Sequence, residues 1–167
     1  MAVRPRTPRK VNMDRLSRSQ QMSLVRAKHT KPELAVRRYM HSLGLRFRLH
    51  DKSLSGAPDI VFKSRRAVLQ VRGCFWHWHE DPNCRLSRRP KSRQEFWIPK
   101  LRRNQERDHQ NDNRLRAEGW HVFVIWECQL QGADTLAATG AAILRLPQRP
   151  CRSKPNQTKH ATSTVER

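Results

Sequence analysis

Acidic side chains are scarce in this chain: 14 Asp and Glu stand against 35 Lys and Arg, a formal charge of +21 before any histidine is counted. So unbalanced a chain repels itself unless a polyanion neutralises it, which makes nucleic acid the leading partner and an anionic membrane surface a weaker one. Long apolar runs are missing as well. Nothing approaches the roughly 18 consecutive apolar residues that cross a bilayer. The segment MAVRPRTPRK is basic with no apolar block behind it, so no secretory signal is expected and the protein reads as cytoplasmic. Apolar residues make up only 36% of the chain, below the roughly 45–50% of ordinary globular domains, so the core should be modest and the ends unpacked. Internal repeats are absent, which leaves one domain as the reading of 167 residues. Cysteine is limited to Cys74, Cys84, Cys128 and Cys151; a reducing cytoplasm disfavours disulfides, and their grouping with histidine points to zinc.

What is present divides into a flexible basic arm at 1–12, a domain at 13–146 and a disordered basic tail at 147–167. Thr30-Lys31-Pro32-Glu33 opens a helix, with Thr30 as cap, Pro32 where no N–H is needed and Glu33 completing a capping box. Val36, Met40 and Leu43 share one face of it, and Gly44 stops it. Leu45, Phe47 and Leu49 alternate with polar residues, as in a strand with one buried face. Asp59-Ile60-Val61-Phe62 and Ala67-Val68-Leu69-Gln70-Val71 read as adjacent buried strands. A long exposed helix is expected from about 98 to 118 with Pro99 near its start, then a core strand at 121–126 and a last helix at 134–146. Helices interleaved with strands predict an α/β layer with a mixed sheet.

Chemistry concentrates in 73–84, where Gly73-Cys74-Phe75-Trp76-His77-Trp78-His79-Glu80-Asp81-Pro82-Asn83-Cys84 holds two Cys, two His and three large aromatics. Cys74, His79 and Cys84 at five-residue intervals offer zinc three ligands, and Cys128 a fourth; buried free thiols are the alternative. Asp59, just after Pro58, suits a divalent ion at a sheet edge, although such a residue is more often a turn or cap. From 85 to 107 nine basic residues face two acidic ones, a stripe able to follow a phosphate backbone or simply to be a solvated helix face.

Met22, Thr30-Lys31-Pro32-Glu33-Leu34, Gly56-Ala57-Pro58-Asp59, Gly73-Cys74-Phe75-Trp76-His77, Glu95-Phe96-Trp97, Asn104-Gln105-Glu106-Arg107-Asp108, Glu118-Gly119-Trp120 and Trp126-Glu127-Cys128 follow in that order. In order and spacing they resemble the very short patch repair endonucleases over about residues 12–131. The resemblance implies a restriction-endonuclease-like fold and a nick beside the thymine of a T·G mismatch left when 5-methylcytosine deaminates. It implies that Asp59 and the main-chain carbonyl of Val71 bind Mg²⁺, that His77 is the catalytic histidine and that Glu33 stands near the scissile phosphate. Cys74, His79, Cys84 and Cys128 match the structural zinc ligands; the alternative for His77 is a place in that zinc site.

Phe75, Trp76 and Trp97 match DNA-inserting aromatics, with Met22 from the N-terminal segment. Wedging a base step costs a few kcal/mol, less at a weakly stacked mismatch. Core packing suits Trp120 and Trp126 better. Arg102, Arg103, Asn104 and Arg107 are candidate DNA contacts, and Cys151 is a spare thiol. The chain departs from the family at Arg72, where His or Asp is frequent, and at Gln70, in a usually hydrophobic strand position. Arg72 cannot accept a proton but can stabilise charge on a phosphate. Trp78 adds a third large aromatic between the histidines. The expected protein is therefore a monomeric, Mg²⁺-dependent mismatch endonuclease with a structural zinc, possible company of a mismatch-repair accessory protein and no membrane. Its rivals are a zinc-stabilised DNA-binding module that Arg72 has made inactive, and a basic RNA-associated structural protein.

Overall fold

The computed structural model describes residues 28–132 and 134–148; Met22, the arm at 1–12, Cys151 and all but the first two residues of the tail lie outside the described residues. The first helix, α1 (Lys31–Ser42), begins as its sequence predicts, with the Glu33 N–H donating to the Thr30 hydroxyl at 3.4 Å. The Glu33 carboxylate departs from a simple capping box: it accepts from the Thr30 hydroxyl at 3.0 Å and from the His29 N–H, one residue before the cap, at 3.1 Å. At the other end Gly44 takes a φ of +75, donating to the His41 carbonyl while Leu45 donates to Met40, the paired bonds of a Schellman stop.

Four strands lie side by side in chain order: β1 (Arg48–Leu49), β2 (Ile60–Phe62), β3 (Ala67–Arg72) and β4 (His121–Trp126). The first two junctions are antiparallel and β3–β4 is parallel. A parallel neighbour needs a crossover, here the 73–93 loop and the long helix α2 (Gln94–Ala117); α3 (Asp134–Arg145) closes the order. Alternation along the strands sorts side chains between faces. Ile60, Phe62, Leu69 and Ile125 pack with Val36, Met40 and Ile143 of α1 and α3, whereas Val61 and Val68 meet Leu115 of α2. The result is the expected mixed sheet flanked by helices.

Two local readings are corrected. Only Arg48 and Leu49 pair as a strand, and Leu49 is 39% exposed rather than buried. β1 is the sheet edge, and His50, at φ +47, turns the chain away before a longer ladder can form. Leu45 and Phe47 still reach the core, Phe47 edge-on to Phe62. The second correction concerns α2, which starts at Gln94 rather than near 98, so Pro99 lies inside it. The Phe96 and Trp97 N–H groups both bond to the Arg93 carbonyl, completing a turn before the proline, and the Glu95 carbonyl that Pro99 cannot serve belongs to an exposed residue. No helix among the described residues is long and apolar enough to cross a membrane.

Candidate active site and metal centre

Parallel pairing of β3 with β4 aligns Arg72 with Trp126, so Cys74 and Cys128, two residues beyond each, emerge together at one end of the sheet. Tight turns then bring His79 and Cys84 back to them; the His79 N–H donates to the Cys74 carbonyl at 3.0 Å. The four ligand atoms all lie within 4.8 Å of one another. Cys128 Sγ is 3.6 Å from His79 Nδ1, close to the roughly 3.5 Å edge of a tetrahedron built on Zn–S of about 2.3 Å and Zn–N of about 2.0 Å. The Cys128 N–H donates to Cys74 Sγ at 3.4 Å, and the His79 ring stacks on Trp126 at 4.1 Å, which orients it. Burial pushes the Cys74 thiol up to about 12, a cost that a divalent cation offsets by holding the sulfur as thiolate. Two thiols close to one sheet end, a third thiol and an imidazole fit structural zinc.

His77 stands outside that tetrahedron. Its Nδ1 is 2.5 Å from Asp108 Oδ2, on α2. An ionised Asp108 can only accept, so the ring donates from Nδ1, and in the neutral ring this tautomer leaves Nε2 as the acceptor. Asp108 belongs to a motif quoted in the sequence, but its role as the orienting partner of His77 was not read there. Thirty-one positions separate the two residues, and only the α2 crossover brings them together.

Asp59 and His77 line one cleft of about 790 Å³, together with Glu33, Val71, Arg72 and Asp108. Asp59 immediately precedes β2, and its Oδ2 accepts the Val71 N–H at 2.8 Å. Continuing the β2–β3 register, in which Ile60 opposes Leu69, sets Val71 opposite Pro58. Proline has no N–H to offer the Val71 carbonyl, which in an extended strand shares an edge with its own N–H. A carboxylate and a carbonyl that its opposite residue cannot serve therefore lie at one end of the sheet, a hard-oxygen donor set that fits Mg²⁺ with water and phosphate completing its sphere. Burial raises the Asp59 pKa above the usual carboxylate value and Glu33 adds to this, while the Val71 N–H and the His50 and His77 rings pull it down.

The remaining candidates are placed unevenly. Glu33 is buried and committed: Arg37 Nη2 donates to it at 2.6 Å. Arg72 reaches the cleft wall, where its Nη2 contacts both oxygens of the buried Asp112 at 2.9 Å and its guanidinium lies over Trp126. Arg37, His50 and Asp112 carried no functional signal in the sequence, because each takes its place through pairing across elements. Gln70 also lines the cleft.

Phe75, Trp76 and Trp97 come together as a half-buried cluster with ring centroids 5.1–6.0 Å apart. Asn104 ties it to α2, its amide donating to the Trp76 carbonyl at 3.2 Å. Arg102, Arg103 and Arg107 are exposed on α2; Arg107 borders the main cleft, and the other two border a shallower hollow with Trp78 and Arg89. Trp126 stacks on His79, and Trp120 packs beside Val61 and Val68, in keeping with their structural reading.

Comparison with known proteins places the chain in a family. The family described as DNA mismatch endonuclease Vsr matches residues 11–83. The type II nicking enzyme V.XorIIP of Xanthomonas oryzae pv. oryzae is 52% identical over 128 residues, 75% of this chain and 92% of that protein. DNA mismatch endonuclease Vsr of Escherichia coli is 39% identical over 123 residues, 74% of this chain and 77% of that one. The type II nicking enzyme V.NmeAIP of Neisseria meningitidis is 40% identical over 114 residues, 68% and 79% of the two chains. With relatives this similar over most of their length, the chain belongs to the family of the Vsr DNA mismatch endonucleases and type II nicking enzymes.

Proposed function

We propose that the protein nicks one strand of duplex DNA on the 5′ side of the thymine in a T·G mismatch produced by deamination of 5-methylcytosine, and so initiates very short patch repair. The observation that carries the reading is the shared cleft of Asp59 and His77, with His77 turned by Asp108 away from the zinc ligands. Asp59 and the Val71 carbonyl would hold Mg²⁺, which would supply Lewis-acid chemistry toward the phosphodiester and the attacking water. His77 accepts the proton of the attacking water at Nε2, while Asp108 retains the Nδ1 proton and stabilises the imidazolium. The new P–O bond forms as the bond to the 3′ oxygen breaks, leaving a 5′-phosphate and a 3′-hydroxyl. Arg72, oriented by Asp112, faces negative charge on the phosphate, and Glu33 supports the same wall of the cleft. Zn²⁺ on Cys74, His79, Cys84 and Cys128 pins the aromatic loop to the end of β4.

Phe75, Trp76 and Trp97 wedge the base step, with Met22 reaching in from the N-terminal segment, and Arg102, Arg103, Asn104 and Arg107 follow the backbone. One active site suffices for one nick, so the protein works as a monomer in the cytoplasm, with a mismatch-repair accessory protein as a further partner. The test maps cleavage strand by strand on T·G and fully paired duplexes with Mg²⁺, for wild type, Asp59→Ala and His77→Ala. A single nick 5′ of the mismatched thymine, lost in both variants, is expected. Mismatch binding without any nick by wild type would instead make the chain a zinc-stabilised DNA-binding module.

A further inference from the structure

Behind Asp59 lies an arrangement in which Arg37, His29 and His50 have no part in the proposed reaction. Arg37 is buried, and its fork serves three acceptors: Nη2 donates to Glu33 at 2.6 Å and to His50 Nε2 at 3.0 Å, while Nη1 donates to His29 Nδ1 at 2.7 Å. Among the described residues its Nε is buried without a partner. Both histidines hold positive φ, +55 at His29 and +47 at His50, a conformation costly for residues other than glycine. An orphaned donor, a buried guanidinium and two strained residues are gathered at one place. Such costs collect where surrounding structure holds a functional group in position.

The arrangement reaches Asp59 through His50. The His50 N–H donates to the Asp59 carbonyl at 3.4 Å, which sets the two residues side by side. Arginine is a donor only and stays charged, so the His50 Nε2 facing it must carry the lone pair and the ring proton must sit on Nδ1. That Nδ1 faces Asp59 Oδ1 at 3.8 Å, a gap closed by one small rotation of the carboxylate or spanned by a water. The other oxygen, Oδ2, already accepts from Val71.

We propose that His50 is a positioning residue for Asp59, held as its Nδ1–H tautomer by Arg37 so that each carboxylate oxygen has its own donor behind the cleft. The inference rests on the reading of Asp59 as a Mg²⁺ ligand and assigns what orients that ligand. Partners behind a ligating group typically change metal affinity by roughly 10–100-fold when removed.

The experiment has three readouts on the full chain. Long-range ¹H–¹⁵N NMR of the metal-free protein should show His50 protonated at Nδ1 and not at Nε2. Calorimetric titration with Mn²⁺ should show His50→Leu binding roughly tenfold more weakly, with His50→Gln, which keeps an N–H donor, restoring most of the loss. The Mg²⁺ concentration for half-maximal nicking should rise in parallel, while affinity for mismatched DNA in EDTA stays at the wild-type value and attests an intact fold. His50 protonated at Nε2, His50→Leu with wild-type Mn²⁺ affinity, or no recovery in His50→Gln overturns the positioning role. Wild type that neither binds Mn²⁺ nor nicks overturns the metal reading beneath it.

Discussion

A carboxylate buried beside another carboxylate resists ionisation, and Asp59 sits in that position with Glu33 nearby. Its raised pKa means that the folded, metal-free protein holds this proton more tightly than the unfolded chain does. The stabilising contribution is therefore full below the ordinary carboxylate range and is lost as pH rises through the raised folded value. Asp59→Asn should accordingly melt higher than wild type in EDTA at neutral pH, by about 2–4 °C for each kcal/mol recovered, and thermal melts across pH would check this. For the metal the sign reverses: only the carboxylate binds, so half-saturation by Mg²⁺ should move to higher concentration as the medium is acidified through the same interval. A second prediction concerns Asp108. Asparagine keeps its shape but cannot hold the His77 Nδ1 proton as a carboxylate does, so single-turnover nicking by Asp108→Asn should fall about 10²–10⁴-fold with mismatch binding unchanged. The sequence exposed the chemical types of these residues. It could not show that Asp108, rather than a nearer acid, meets His77, because the partner arrives on a different element.

Strand β3 and helix α2 meet at the cleft through a charged contact, Arg72 with Asp112. Both side chains are nearly buried, at 11% and 4% exposure. Removing one partner leaves a charge stranded, so Asp112→Ala should destabilise by about 3 kcal/mol or more. Replacing both together, Arg72→Met with Asp112→Leu, should recover much of that loss. If Arg72 also faces the phosphate, the double variant should fold well and nick slowly; urea melts and nicking rates on the same samples separate the two effects. The boundaries of the elements were less legible than their existence. α1 and its Schellman stop follow from local capping chemistry, and the alternating strands from period-two burial. Leu49 and Pro99 were misplaced because the left-handed turn at His50 cuts the edge strand short, and because an aromatic turn on the zinc-loop side of α2 extends that helix past its proline.

At the scale of the molecule, zinc on the Cys74, His79, Cys84 and Cys128 cluster would fasten the aromatic loop to the paired ends of β3 and β4. Structural zinc contributes on the order of 10 kcal/mol in small zinc domains. Chelation should therefore lower the melting temperature by roughly 10 °C or more and release about one zinc per chain, as metal analysis and calorimetry would measure. Cys84→Ser should behave likewise and should lose the mismatch preference along with the ordered wedge. The amino-acid sequence by itself determined the inventory: a polyanion-binding charge, four soft ligands, a carboxylate after proline, aromatics beside a histidine, and periodicities that dictate helices and strands. Those are properties of residue type and local spacing, and they survive without knowledge of the fold. Only the tertiary structure decided who meets whom: His77 with Asp108, Arg72 with Asp112, and His50 set behind Asp59 by Arg37. Such pairings depend on strand register and on where a 24-residue helix crosses the sheet, and packing settles both collectively rather than any neighbourhood of the chain.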